Sequence, residues 1–154
     1  MSCGCSKYAP VELERKSILK RINESKLLKQ RLEGIAEYRE EYNWHNLYRC
    51  AECDQLWQES CAWNVGARWY LFQVPHVSVE EWLKEPYVQP YDLMIYWAGY
   101  EELMAQNYEP TDYLCREEGC ENHAIRWHIL CKEHYWATQL KRPRGKIFPP
   151  YSIG

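Results

Sequence analysis

Phenylalanine and long apolar runs are both scarce in this chain of 154 residues, which has only two Phe. No stretch approaches the ~20 consecutive apolar residues of a membrane-spanning helix, so a membrane partner is not expected. The opening residues, MSCGCSKYAPVELERK, lack the apolar core of a secretory signal. A soluble, cytoplasmic protein is expected. The fingerprints of common catalysts are missing as well: there is no G-x-S-x-G, no P-loop, no H-E-x-x-H and no dinucleotide-binding glycine pattern. The acid pairs Glu80-Glu81 and Glu101-Glu102 are neighbours on helix-forming segments, where adjacent side chains diverge, so they read as solvated faces. These absences point away from an enzyme.

What is present is aromatic and rich in cysteine. Eight Trp and thirteen Tyr stand in for the missing Phe, and hydrophobic residues reach 46%, enough for a core. Trp and Tyr each carry a polar atom, which also suits them to wet interfaces. In a reducing compartment disulfides are rare, so the close pairs among the eight cysteines read as metal ligands or redox sites.

The net charge of −3 conceals an uneven distribution. Residues 1–40 hold nine basic and six acidic side chains, residues 41–120 four and fourteen, and residues 121–154 six and two. An acidic middle repels nucleic acid and attracts a basic protein.

From Val11 to Tyr42 the chain has no Pro and one Gly, and it abounds in Glu, Lys, Arg and Leu. Ile18, Ile22, Leu28, Leu32 and Ile35 recur at helical spacing, which predicts one long amphipathic helix. Beyond it, NLYRC, QLWQESCAW and RWYLFQV read as three antiparallel strands, with turns at Ala51–Asp54 and Asn64–Ala67. Ser78-Val79-Glu80-Glu81 has the form of a capping box opening a short helix that Pro86 stops. A second helix is expected from Pro90 and Asp92 to about Asn107, and EPTD (109–112) reads as a linker. The fold class expected is α+β: an N-terminal helical segment (1–45), an α+β body (46–112), and a zinc-binding module with a basic tail (113–154).

The strongest chemical signal is Cys115-x4-Cys120-x10-Cys131-x2-His134. Zinc favours a tetrahedral set of thiolates and imidazoles, and four protein donors close its shell, the mark of a structural site. Cys131 and His134, three apart on the first turn of a helix, can reach one metal, while a hairpin through Ala124–Trp127 crosses back from the first pair. His123 and His128 lie nearby but are less natural ligands. The weaker signal is Cys50-x2-Cys53, a candidate second metal site. Its completing donors would come from Cys61, His45, His76, Cys3 and Cys5, with unligated buried thiols as the alternative. A thioredoxin-like role would require the pair to open a helix, whereas here it joins strands.

CREEGCENHAIRWHILCKEHYW, from Cys115 to Trp136, resembles a short zinc motif of treble-clef type found beside the nuclease domain of some phage-type HNH endonucleases and in other bacterial proteins. His45 and His76 sit in no HNH context, so the resemblance implies the zinc site and not the nuclease. LYRCAECDQLWQESCAWNVGARWYLFQVP is similar to a segment of some bacterial toxin-immunity proteins, with a Tyr-Arg-Cys-x-x-Cys opening, a later Trp, a Gly-containing turn and a strand. With the closed zinc site, the aromatic excess and the acidic middle, that resemblance implies a non-catalytic protein acting by protein–protein contact on a partner such as a basic toxin; Trp57, Trp63 and Trp69 are candidate anchors or, equally, core residues. The alternative is a nucleic-acid-binding zinc finger, using the tail cations Lys141, Arg142, Arg144 and Lys146.

Overall fold

The computed structural model describes residues 3–8, 13–139 and 143–147. Among them the architecture is α+β, with four α-helices, a four-stranded antiparallel sheet and a separate two-stranded one. Two compact units emerge, Met1–Met94 with Arg144–Gly154, and Ile95–Pro143.

Helix α1 covers Arg15–Lys29 and stops well short of the expected length. The chain then turns into strand β1 (Leu32–Glu40), followed by β2 (Asn43–Cys50), β3 (Leu56–Ala62) and β4 (Arg68–Gln73), in the order β1-β2-β3-β4. Leu32, Gly34 and Ile35 therefore belong to a strand and not to the helix. Helix propensity over these residues is a weak preference, and pairing along the whole of β2 outweighs it. Val11 lies outside the described residues. The three expected strands form as read, and β1 adds a fourth.

Residues paired across antiparallel strands share a face, so register fixes the two layers. Leu47, Gln58 and Phe72 align on one face, and Tyr48, Trp57 and Gln73 on the other. Both faces of β3 are covered, and every residue in it is buried. On the first face the fully buried Gln58 uses its whole amide. Its Nε2 donates to the Tyr87 carbonyl (2.7 Å) and Ser60 Oγ (2.9 Å), and its Oε1 accepts from Trp82 Nε1 and the Tyr87 N–H (both 2.9 Å). This holds helix α2 (Val79–Lys84) and the segment after it on the sheet. Helix α2 is capped as expected, with Ser78 Oγ accepting from the Glu81 N–H. The second face carries α1. Lys29 pairs with the buried Glu59 (3.1 Å), and Ser25 Oγ accepts from the backbone N–H of Leu71 (2.8 Å), satisfying an edge donor of β4.

Helix α3 runs from Pro90 to Ala105. The smaller unit continues with β5 (Pro110–Leu114), β6 (His123–Ile125) and α4 (Lys132–Gln139). The expected linker at 109–112 is largely strand: Pro110 pairs with Ile125 and Leu114 with His123. No helix among the described residues is long and apolar enough to cross a membrane.

His45 is buried in the larger unit, with Nδ1 at 2.6 Å from Ser60 Oγ and Nε2 at 2.7 Å from Asn43 Oδ1. Burial, aided by the Arg39 guanidinium, lowers its pKa from 6.5 to about 4. Between those values the unfolded chain binds a proton that the folded chain refuses. Stability should therefore fall as pH drops below about 6.5 and reach its full loss below about 4, a change of roughly 3 kcal/mol from this residue. Urea unfolding at a series of pH values should show a flatter profile for His45→Gln than for the wild type in that window, and parallel profiles would refute the assignment.

Candidate metal centres

The smaller unit builds its donor set from the turn after β5 and the start of α4. After β5 the chain folds through a knuckle in which the Cys115 N–H donates to the Asn122 carbonyl (2.8 Å) and the Cys120 N–H to the Glu117 carbonyl (3.1 Å). Gly119 at φ +80° provides the left-handed step. Cys131 immediately precedes α4, its carbonyl accepting from the Tyr135 N–H (2.8 Å), and His134 follows on the first turn. One α4 side chain reaches back: Lys132 Nζ donates to the carbonyls of Met104 (2.8 Å) and Gln106 (3.0 Å), placing a cation where α3 ends.

These four donor atoms lie within 4.8 Å of one another and could hold a metal ion. Two of their spacings test the fit. A tetrahedral zinc with bonds of about 2.3 Å to sulfur and 2.0 Å to nitrogen sets sulfur pairs about 3.8 Å apart and sulfur–nitrogen pairs about 3.5 Å apart. Cys120 and Cys131 Sγ are separated by 3.8 Å, and Cys115 Sγ and His134 Nδ1 by 3.5 Å. The Cys131 Sγ–His134 Nδ1 spacing is tighter, at 3.1 Å. Asn122 Nδ2 lies 3.9 Å from Cys131 Sγ, a donor beside the ligand shell.

The electrostatics agree with the geometry. Burial opposes ionisation of Cys115, but the backbone of Cys131 and Glu117 and the neighbouring thiols outweigh it and bring its pKa down to about 7. Burial pushes Cys131 up to about 11, and the thiols of Cys115 and Cys120 push the same way. One sulfur ionises readily and the next resists a second negative charge beside it. A divalent cation removes that resistance.

The other histidines of the segment are engaged elsewhere. His123 Nδ1 lies 2.7 Å from the Thr111 carbonyl, and His128 packs on the Tyr135 ring at 4.1 Å. The crossing through Ala124–Trp127 is a single short strand followed by a tight turn. There the Ile125 N–H meets the Leu130 carbonyl (2.9 Å) and the His128 N–H meets the Ile125 carbonyl (3.0 Å).

The larger unit holds a second set, Cys3, Cys5, Cys50 and Cys53, whose sulfurs also lie within 4.8 Å of one another and could hold a metal ion. Cys50 ends β2, and Cys53 sits in the turn that follows. That turn is closed by the Asp54 N–H on the Cys50 carbonyl (2.9 Å) and the Cys50 N–H on the Gln55 carbonyl (3.0 Å). Asp54 adopts φ +61° there without being glycine. Of the donors named for this pair, Cys3 and Cys5 join it, while Cys61, His45 and His76 do not. All eight thiols are free. Trp57 is fully buried and is a core residue, whereas Trp63 and Trp69 keep exposed surface.

No protein-family model, curated protein or solved structure matches this chain. The two short resemblances therefore rest on their own residues.

If a metal ion fills this site, a strong chelator or Cys131→Ser should unfold the unit Ile95–Pro143. Amide hydrogen exchange of that unit should rise by orders of magnitude. His128→Ala, which removes no donor of the set, should leave exchange unchanged. Protection that survives chelation would rule out a structural role for the site.

Proposed function

We propose that this is a non-catalytic zinc-binding protein that acts by protein–protein contact, with one structural zinc on Cys115, Cys120, Cys131 and His134. The observation that carries the reading is the complete donor set: the chain supplies all four ligands and leaves no position for a reacting water. The order knuckle, strand and helix start suits a module of treble-clef type, although the paired strands flank the knuckle.

The surface beside that set supports contact as its use. Trp127 stands 85% exposed at φ +71°, a left-handed conformation that a bulky residue enters only at a cost. The Arg126 guanidinium lies 4.9 Å from its ring centroid, and Tyr113, Leu114 and Ile129 are exposed in the same unit. A rigid turn presenting Trp is well suited to anchor a partner.

The partner in this reading is a basic protein, with a nucleic-acid-cleaving bacterial toxin as the specific candidate and this chain as its cytoplasmic immunity protein. Fourteen acids against four bases in residues 41–120 favour such a partner, and the segment opening Tyr48-Arg49-Cys50 lends the immunity reading its resemblance. Nucleic-acid binding draws less support. Lys146, one of the tail cations, is spent inside the larger unit, its Nζ donating to the Glu81 carbonyl (3.2 Å), while Lys141 and Arg142 lie outside the described residues.

Titration calorimetry against a basic, nucleic-acid-cleaving toxin that the chain inhibits should show Trp127→Ala weakening binding about 30- to 100-fold, the scale of an anchoring aromatic. Zinc content should be unchanged. Undiminished affinity would remove Trp127 from the interface. Retention of the chain on mixed DNA and RNA, lost steeply with salt, would instead favour the nucleic-acid alternative.

A further inference from the structure

We propose that Cys3, Cys5, Cys50 and Cys53 bind a second zinc ion, which staples the N-terminal residues to the β2–β3 hairpin of the larger unit. It is a different donor set in a different unit, and it does not rest on the function proposed above.

Three features of the chain converge on this assignment. The first is how each sulfur is delivered. Cys50 and Cys53 occupy a closed knuckle, and Cys3 and Cys5 flank Gly4, which sits at φ +87°. A Cβ on Gly4 would lie 3.1 Å from Arg31 Nη1, so a side chain there would meet both strain and crowding. Gln73 Nε2 then grips the turn by donating to the carbonyls of Cys5 (3.1 Å) and Tyr8 (3.3 Å).

A buried donor supplies the second feature. Trp57 is fully buried, and among the described residues no oxygen or nitrogen accepts its indole N–H. A buried donor left unmet is destabilising, because it has given up its water without a replacement. Trp57 packs in one buried cluster with Cys5 and Cys50. A metal-bound thiolate on Cys5 would accept this N–H, as ligating sulfurs commonly do from their surroundings.

Charge and ligand chemistry are the third. Four thiolates around a divalent cation leave a net −2. Arg31 stands against Gly4, and Arg21 lies over the rings of Tyr8 (4.8 Å) and Trp57 (5.6 Å), so cations are at hand to offset it. A tetrahedral four-sulfur set suits zinc or iron. The uneven bite of a C-x-C pair against a C-x2-C pair favours zinc, which has no ligand-field preference to satisfy.

Native mass spectrometry with elemental analysis of the full chain should find two zinc ions. The Cys3→Ser/Cys53→Ser double variant should keep one, and Cys131→Ser should keep the other. Retention of one ion in the double variant also shows that the chain has not unfolded globally. Trp57→Phe keeps every ligand and should bind both ions, but release one about 10- to 100-fold more readily to a chromophoric chelator, the usual effect of losing a partner of a ligand. A wild-type chain with a single zinc that the double variant retains would overturn the proposal, as would iron in place of zinc. Unaltered release from Trp57→Phe would overturn the indole's part in it. Loss of an ion from the double variant but none from Cys131→Ser would uphold this site and defeat the zinc of the proposed function.

Discussion

In the smaller unit Cys115, Cys120, Cys131 and His134 stand where one metal ion could cross-link all four. A unit the size of Ile95–Pro143 buries too little apolar surface to fold on that term alone. Among its described residues few are buried: Cys115, Ala124, Ile125, Cys131 and Trp136. Two of these are ligands. Around them the packing is aromatic, with Trp97 stacked on Tyr100 (5.3 Å) and Tyr100 edge-on to Trp136 (4.6 Å). That packing covers one side of α3 and α4 but leaves the knuckle and the Trp127 turn held chiefly by backbone hydrogen bonds and by whatever joins the four donors. A metal there would contribute to folding directly, since the unfolded chain offers no preformed site.

This site was legible because it is local. All four donors fall within twenty residues, and the i, i+3 spacing of Cys131 and His134 places both at one helix end whatever the rest of the chain does. The N-terminal set is spread over fifty residues, and a single error in reading secondary structure concealed it. A helix from Val11 to Tyr42 would span about 48 Å and carry Cys3 and Cys5 far from the hairpin that holds Cys50. The actual helix has 15 residues, and β1 then pairs with β2 so that Leu32 lies opposite Cys50. With the N-terminal turn held by Gln73 of β4, the two cysteine pairs come together. The sequence did name Cys3 and Cys5 among the candidate donors, but choosing between them and Cys61, His45 or His76 required the register.

The missed strand has a physical cause. Residues 31–40 are rich in helix formers, and the turn that follows β1 reaches φ +61° at Tyr42 with neither Gly nor Asn to announce it. Pairing with β2 and packing by Ile35, Ala36 and Tyr38 against the main core decide the matter, and neither can be seen in a local window. By contrast β2, β3 and β4 are rich in aromatic and apolar residues and separated by short turns, so a local window is enough to show them. The segment at 109–112 failed as a linker for a similar reason. Pro110 opens the strand, a position that costs it no ladder hydrogen bond.

The near-absence of phenylalanine now has a structural meaning. A core built from Trp and Tyr must find a partner for nearly every indole N–H and phenol, and this chain places one polar acceptor after another inside itself to do so. Trp82 is met by Gln58, Tyr70 by Gln89, and Tyr48 by Glu59, which Lys29 neutralises in turn. Among the described residues, Trp57 is the buried indole of the sheet that no oxygen or nitrogen meets, and it lies beside a cluster of sulfurs. Trp136 shares that lack among the described residues, but Trp57 packs with Cys5 and Cys50, where a thiolate held ionised by a cation would serve as an acceptor of a different kind.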